Sequence, residues 1–311
     1  MTSSESTNPF LDKTALVTGA NSGLGFEAAA QLAEAGYARV ILACRSQEKA
    51  EAAKRALAER VGSDPFETLK IDVSSVQSAH AASDELERRG TVIDSLLLNA
   101  GMVSGDSMNT TEDGLEVAFA SSVIGHHVLT LRLLDAGLLP KGARVGIAGS
   151  ESANNDLPAM MDMKLYDFAV DAPQEFGDNL RDAMVNFAVG ARPEKFNSTR
   201  YYATTKVFTS WWTAAMARRF GERISIFTVS PGANLSTNAA RHTTGFKKLL
   251  FTKLMPAIGP AIGMGQHVSV GAKRYVDVLH GVGRDYVNGK TYTSKPKKLI
   301  GPLHEMTHEH L

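Results

Sequence analysis

One cysteine stands in 311 residues. Cys44 has no partner within its chain, which excludes an intramolecular disulfide and suits a reducing compartment. It falls in the apolar run "ARVILAC", where a buried, inert thiol is expected. Net charge is absent as well: 33 Lys and Arg balance 33 Asp and Glu. No overall field therefore favours nucleic acid or an anionic membrane. No uninterrupted apolar run reaches the roughly 20 residues of a bilayer-spanning helix, so no stable membrane insertion is expected. The opening "MTSSESTNPF" lacks the apolar core of a secretory signal. No repeat period or low-complexity tract occurs. These absences predict a soluble, cytoplasmic protein whose partner is a small molecule.

What is present is an alternation. Apolar residues make up 43% of the chain and charged residues 21%, an ordinary globular balance with ample core for this length. Buried-strand runs are "TALVT" (14–18), "ARVILAC" (38–44), "FETLKID" (66–72), "IDSLLLNA" (93–100), "ARVGIAG" (143–149), "RISIFTVS" (223–230) and "YVNGKTYTS" (286–294). Helical stretches separate the early ones: 23–36, then 46–60 opened by Ser46, then 74–90 closed by Gly90, then a long region around 112–137. Such alternation predicts an α/β class protein, a doubly wound, mainly parallel seven-stranded sheet with helices on both faces. We expect one domain over 12–295, with a flexible tail at 1–11 and a second tail at 296–311. In such sheets a ligand binds beyond the carboxyl ends of the strands.

After the first strand comes "TGANSGLG", Thr18 to Gly25. Gly19, Gly23 and Gly25 sit where a strand turns into a helix, letting the backbone approach a pyrophosphate at the helix N-terminus. Asn21, Ser22 and Leu24 belong to the same turn. A ligand-free glycine turn is the plainer reading, but the strand and helix around it favour dinucleotide binding. The second strand ends "ACRS". Arg45 stands where NAD-preferring folds carry a carboxylate, and its guanidinium suits a 2′-phosphate. Set against a merely solvated arginine, this points to NADP(H).

"RYYATTKVF" (200–208) pairs two tyrosines with a lysine. In a helix Tyr202 and Lys206 stand four apart and share a face, while Tyr201 points away. Taken with "TGANSGLG" and "NAG" (99–101), "YATTK" makes the chain resemble the short-chain dehydrogenase/reductase family over roughly residues 12 to 295. The retinol-dehydrogenase-like, protochlorophyllide-reductase-like and carbonyl-reductase-like branches are the most similar. The resemblance implies a Rossmann-type fold in which Asp72 and Val73 contact adenine and Asn99, Ala100 and Gly101 lie beside the ribose. It puts Ser150 in the catalytic serine slot, with Ser152 as the fallback. Pro231 and Gly232 would flank the nicotinamide and Thr237 would hold its carboxamide. Tyr202 would be the acid/base and Lys206 its tuner and a ribose ligand. A free tyrosine titrates near 10, so reaching about 7 needs roughly 4 kcal/mol of phenolate stabilisation. Lys206 and an oxidised nicotinamide would share it.

Two departures from the family pattern stand out. Ser122, in "FASSVIGHHVLT", occupies the slot of an asparagine that holds a relay water, so we expect a weakened or rerouted relay. The stretch 154–198 between Ser150 and Tyr202 is an insertion, expected as a lid over the substrate. By blocking a helix face it would favour a monomer or dimer over a tetramer. Residues 233–267 fall where the family places its substrate-covering segment. Within them "GFKKLLFTKLMPAIGPAIG" (245–263) reads as a packed lid helix ahead of a membrane-touching one. The terminal His304, His308 and His310 have helical metal spacing but no further ligands, and no metal is assigned. The expected function is NADP(H)-dependent hydride transfer to or from a bulky apolar carbonyl or alcohol. Reduction of a carbon–carbon double bond, or a non-catalytic NADP(H) sensor or scaffold, are the alternatives.

Overall fold

The structure is a computed structural model describing residues 8–105, 107–157, 164–166, 176–177, 179–191, 196–234 and 265–307. One sheet runs in the order β3-β2-β1-β4-β5-β6-β7-β8. Its strands are β1 Thr14–Thr18, β2 Arg39–Cys44, β3 Phe66–Lys70, β4 Ser95–Leu98, β5 Ala143–Ala148, β6 Ile224–Val229, β7 Thr291–Thr293 and β8 His304–Glu305. Pairing is parallel from β3 to β7, and β8 joins antiparallel. Val17 faces Leu42 on one side and Leu97 on the other. β1 and β4 are buried along their whole length, which is why they read as unbroken apolar runs rather than alternating ones.

The helices are α1 Gly23–Glu34, α2 Gln47–Val61, α3 Val76–Arg88, α4 Val117–Asp135, α5 Leu180–Val189, α6 Ser198–Phe220 and α7 Val268–His280. Their ends follow local chemistry. Ser46 caps α2 through Lys49 N at 3.4 Å, Ser75 caps α3, and Asn197 caps α6. Gly62 closes α2 with φ +75, a conformation that favours glycine. Two cores cover the two faces of the sheet. Ala28, Ala29 and Leu32 of α1 pack with Leu57 of α2 and Tyr275 and Leu279 of α7. Leu86 of α3, Leu129 and Leu133 of α4 and Met216 of α6 pack on the other face.

The doubly wound class holds, with three differences in detail. An eighth strand lies within the expected tail at 296–311. Met306 N donates to Thr291 O at 2.8 Å and the Met306 side chain is buried, so these residues satisfy the otherwise open edge of β7. In the expected N-terminal tail, Phe10 stacks on Tyr37 at 4.9 Å and on His280 at 4.1 Å. The helical region around 112–137 is α4, interrupted by a π turn over Ala120–Ile124. α4 is the one described helix long and apolar enough to cross a membrane, and most of its apolar stretch is buried inside the protein. Cys44 is buried, and that burial pushes its thiol up to about 11, so at neutral pH it is not a nucleophile.

Candidate active site

A cleft of about 550 Å³ opens over the carboxyl ends of the strands, from Arg45 at one end to Tyr202 and Pro231 at the other. It includes the point where the strand order reverses between β1 and β4, the expected ligand position in such sheets. Gly19 and Gly23 have φ of +68 and +58, a turn few other residues adopt. Asn21, Ser22, Gly23 and Leu24 line the cleft. Ser22 makes no side-chain capping bond, leaving the first N–H groups of α1 available to an anion. Gly25 sits behind the turn. A Cβ there would lie 2.5 Å from Asn99 Nδ2 and 2.5 Å from Gly19 O.

Thr18 does not line the cleft. It is fully buried beneath it, accepting from Ala100 N at 3.0 Å on Oγ1 and from Asn99 Nδ2 at 2.9 Å on its carbonyl. Asn99, Ala100 and Gly101 are thereby fixed as one wall. Behind Thr18, His126 Nε2 lies 3.1 Å from Thr18 Oγ1. Burial pushes this imidazole down to about 3, so it is neutral. At the opposite end Arg45 is exposed, its Nε 4.0 Å from Asp72 Oδ2. Asp72 is held by Ser74 N at 2.9 Å and Ser74 Oγ at 2.6 Å, and Val73 lines the same end.

α6 supplies the other pole. Tyr202 and Lys206 both line the cleft, and Lys206 Nζ lies 5.5 Å from the Tyr202 ring centre. Tyr201 is fully buried, stacked on Phe187 at 4.0 Å and donating to Phe187 O. Lys206 is buried and donates to Ala148 O at 2.9 Å. Burial lowers its ammonium to about 8. The Tyr202 phenol moves the other way from expectation. Burial raises it above its ordinary value and a hydrogen bond with Ser150 only opposes that shift. Desolvation of the phenolate outweighs the neighbouring donor. Ser150 Oγ accepts from Ser152 N at 3.2 Å and Ser152 Oγ at 2.9 Å. Both candidate serines therefore belong to one hydroxyl pair, with Ser150 nearer the phenol.

Ser122 sits in the π turn, buried, its Oγ without a hydrogen-bond partner. A Cβ on Gly101 would lie 3.2 Å from Ser122 Oγ and 3.9 Å from Lys206 Nζ, so hydroxyl and ammonium converge below the cleft floor. Pro231 lines the cleft, while Gly232 stands behind it with φ +73. Thr237 and 245–263 lie outside the described residues, as do much of 154–198 and the terminal His308 and His310. Among the described residues no group of three or more His, Cys, Asp or Glu could hold a metal. Sequence reasoning missed Lys49 and Tyr275, which also line the cleft. Lys49 had a signal: the Ser46 cap puts it in the first turn of α2, beside Arg45. Tyr275 had none, being carried in by α7 from far along the chain.

Glycine turn, asparagine wall and Ser–Tyr–Lys cluster at a strand switch point together define a dinucleotide-binding α/β protein. Residues 13–161 match the family described as short chain dehydrogenase. The chain is 32% identical over 247 residues to the WW domain-containing oxidoreductase of Drosophila melanogaster, covering 78% of this chain and 54% of that protein. It is 32% identical to mouse (Mus musculus) retinol dehydrogenase 14, covering 74% and 63%. It is 31% identical to the chloroplastic protochlorophyllide reductase of Chlamydomonas reinhardtii, covering 77% and 60%. The chain thus spans less than two thirds of the length of each of these relatives. A short chain dehydrogenase from Burkholderia cenocepacia J2315, solved in complex with NADP, shares the fold. Its TM-score is 0.60 at 22% identity, covering 91% of this chain and 96% of that one. The chain belongs to the short-chain dehydrogenase/reductase family.

Proposed function

We propose that this protein is an NADP(H)-dependent oxidoreductase that interconverts a carbonyl and an alcohol on a fairly bulky apolar substrate. The observation that carries the reading is the Tyr202 phenol, beside Ser150 and one helical turn from Lys206, at one end of a cleft whose far end holds Arg45. The cleft fits a nicotinamide dinucleotide. Its glycine turn has no Cβ to obstruct a pyrophosphate at Gly19 or Gly23, and Arg45 and Lys49 offer cations to a 2′-phosphate. Bound there, the nicotinamide supplies or accepts the hydride.

Everything else falls to the chain. In reduction Tyr202 Oη gives its proton to the substrate oxygen. Ser152 donates to Ser150, so the one Ser150 hydroxyl proton is left for the Tyr202 phenol or, with substrate bound, for orienting that oxygen. The Lys206 ammonium stabilises the phenolate left behind, and the positive charge of an oxidised nicotinamide would add to it. In oxidation the same groups run in reverse. Met102 and Val103 line the cleft and are partly exposed, an apolar wall that supports an apolar substrate. α5 lays Phe187 against Tyr201 and Phe208 of α6. That covers part of a helix face and supports a monomer or dimer. Cytoplasmic residence rests on the single buried cysteine.

Double-bond reduction is the second reading, favoured by the 31% identity to a protochlorophyllide reductase. The same proton donor would serve it. Oxidation of NADPH and of NADH, followed by absorbance against aldehydes, ketones and enones with Tyr202→Phe alongside, tests both. Turnover with NADPH that collapses in the variant is the expected result, and product analysis on enones separates the two chemistries. NADPH binding with no turnover on any compound would favour the sensor.

A further inference from the structure

Directly after Ser150, the chain buries a carboxylate. Glu151 turns away from the cleft and is 4% exposed. Its Oε1 accepts from Arg274 Nη1 at 3.1 Å and from Ser294 Oγ at 2.9 Å, and its Oε2 accepts from Ser294 N at 3.0 Å. Arg274, carried by α7, is 6% exposed. Its Nη1 also donates to Ser230 O at 3.1 Å, and its Nη2 donates to Ser294 Oγ at 3.0 Å and to Gly301 O. One guanidinium thus joins four chain segments: the turn after β5, the end of β6, the end of β7 and the C-terminal stretch.

Those places are not arbitrary. Ser150 precedes Glu151, and Pro231–Gly232 follow Ser230, so the pair fixes the strand ends on which the hydroxyl and the proposed nicotinamide wall depend. Gly232 is pressed against it as well: a Cβ there would lie 2.9 Å from Arg274 Nη1. Burying an ion pair is a weak way to gain stability, because desolvation offsets most of the attraction. Replacement by apolar side chains would serve packing as well but would not hold donor and acceptor positions at fixed spacing. A guanidinium does, since its planar donors point in set directions.

We propose that Glu151 and Arg274 are positioning residues that hold Ser150 and the Pro231–Gly232 wall in register for the reaction. This rests on the oxidoreductase reading for its kinetic consequence, but not for its structural one. Arg274→Lys is the decisive variant, because it keeps the charge opposite Glu151 while losing the fork that reaches Ser230, Ser294 and Gly301.

The test compares wild type, Arg274→Lys and Glu151→Gln by kinetics with NADPH and by hydrogen exchange. The expected result for Arg274→Lys is a kcat reduced about 10- to 100-fold, the scale of a misplacement near 1 Å. Its KM for NADPH should stay within about threefold, because the adenosine end is untouched. Exchange should quicken together at 149–152, 230–233 and 294–301 while β1 to β3 keep their protection. Wild-type kcat in Arg274→Lys with no local change in exchange would overturn the proposal. So would a uniform rise in exchange across the sheet, which would make the pair a plain stability element. If wild type turns over no carbonyl or enone, the oxidoreductase reading fails separately, and the three-segment exchange pattern still decides the register role. Should Glu151→Gln not fold, Arg274→Lys alone carries the comparison.

Discussion

Asn99 and Gly25 compete for one space. Asn99 Nδ2 donates to Thr18 O at 2.9 Å, and the same nitrogen lies 2.5 Å from where a Cβ on Gly25 would be. The wall of the cleft and the first turn of α1 are therefore packed through an absent side chain. Gly25→Ala must push either Asn99 off Thr18 or α1 away from β1. We expect a loss of about 1–3 kcal/mol in denaturant unfolding, typical of overpacking. NADPH binding should weaken about tenfold, the equivalent of roughly 1.4 kcal/mol. Wild-type stability and affinity would show that the turn yields without cost.

The adjacent tyrosines of α6 give opposite expectations for the same chemical change. Tyr201 is walled in by aromatic rings and its hydroxyl serves Phe187 O, whereas Tyr202 faces the cleft. Tyr201→Phe should cost roughly 0.5–1.5 kcal/mol of stability, the net worth of one lost hydrogen bond, because the Phe187 carbonyl keeps its Gly190 N–H donor at 3.2 Å, with kcat unchanged. Tyr202→Phe should lower kcat by about 10²–10⁴, the range for a lost general acid, with thermal stability near wild type. Equal kinetic effects from the two would remove Tyr202 from its assigned role.

Much of this layout was legible because it is local. "TALVT" became β1 over Thr14–Thr18, an apolar run bounded by Lys13 and Gly19, and Ser46 opened α2 through a bond three residues long. The Tyr202–Lys206 face follows from helical spacing alone. What could not be read depends on distant partners or on backbone detail. β8 exists only against the edge of β7, and Glu151 meets Arg274 across 123 positions. The π turn under Ser122 has no side-chain pattern of its own. The raised Tyr202 phenol was missed because the sequence displays the nearby lysine but not the burial that opposes it.

Arg45 gives a prediction about cofactor choice. Its side chain is 68% exposed and its nearest acidic partner is Asp72 at 4.0 Å, a distance that leaves the guanidinium free to take a phosphate. Arg45→Ala should raise the Kd for NADPH by about tenfold or more, as for loss of a charge-assisted bond, and leave NADH binding unchanged. The difference should shrink as salt rises, because the site is exposed to screening. An unaltered NADPH to NADH ratio would shift the role to Lys49, and Lys49→Ala measured in parallel decides it.

Lys206 makes the stability of the cofactor-free protein depend on pH in a stated direction. Burial lowers its ammonium from 10.5 to about 8, so below pH 8 it is charged in both folded and unfolded chains and the desolvation penalty is fully felt. Between about pH 8 and 10.5 the folded protein gives up the proton first. The unfolded chain then binds more protons, and unfolding free energy rises with pH. At roughly 1.36 kcal/mol per unit the gain across that window is about 3 kcal/mol. Other groups titrate there too, so the informative quantity is the difference between wild type and Lys206→Met. Urea unfolding from pH 7 to 10 should show the variant ahead at neutral pH and its advantage narrowing as pH rises. Parallel curves would mean that the Lys206 ammonium, despite its bond to Ala148 O, is hydrated well enough to titrate as an ordinary lysine.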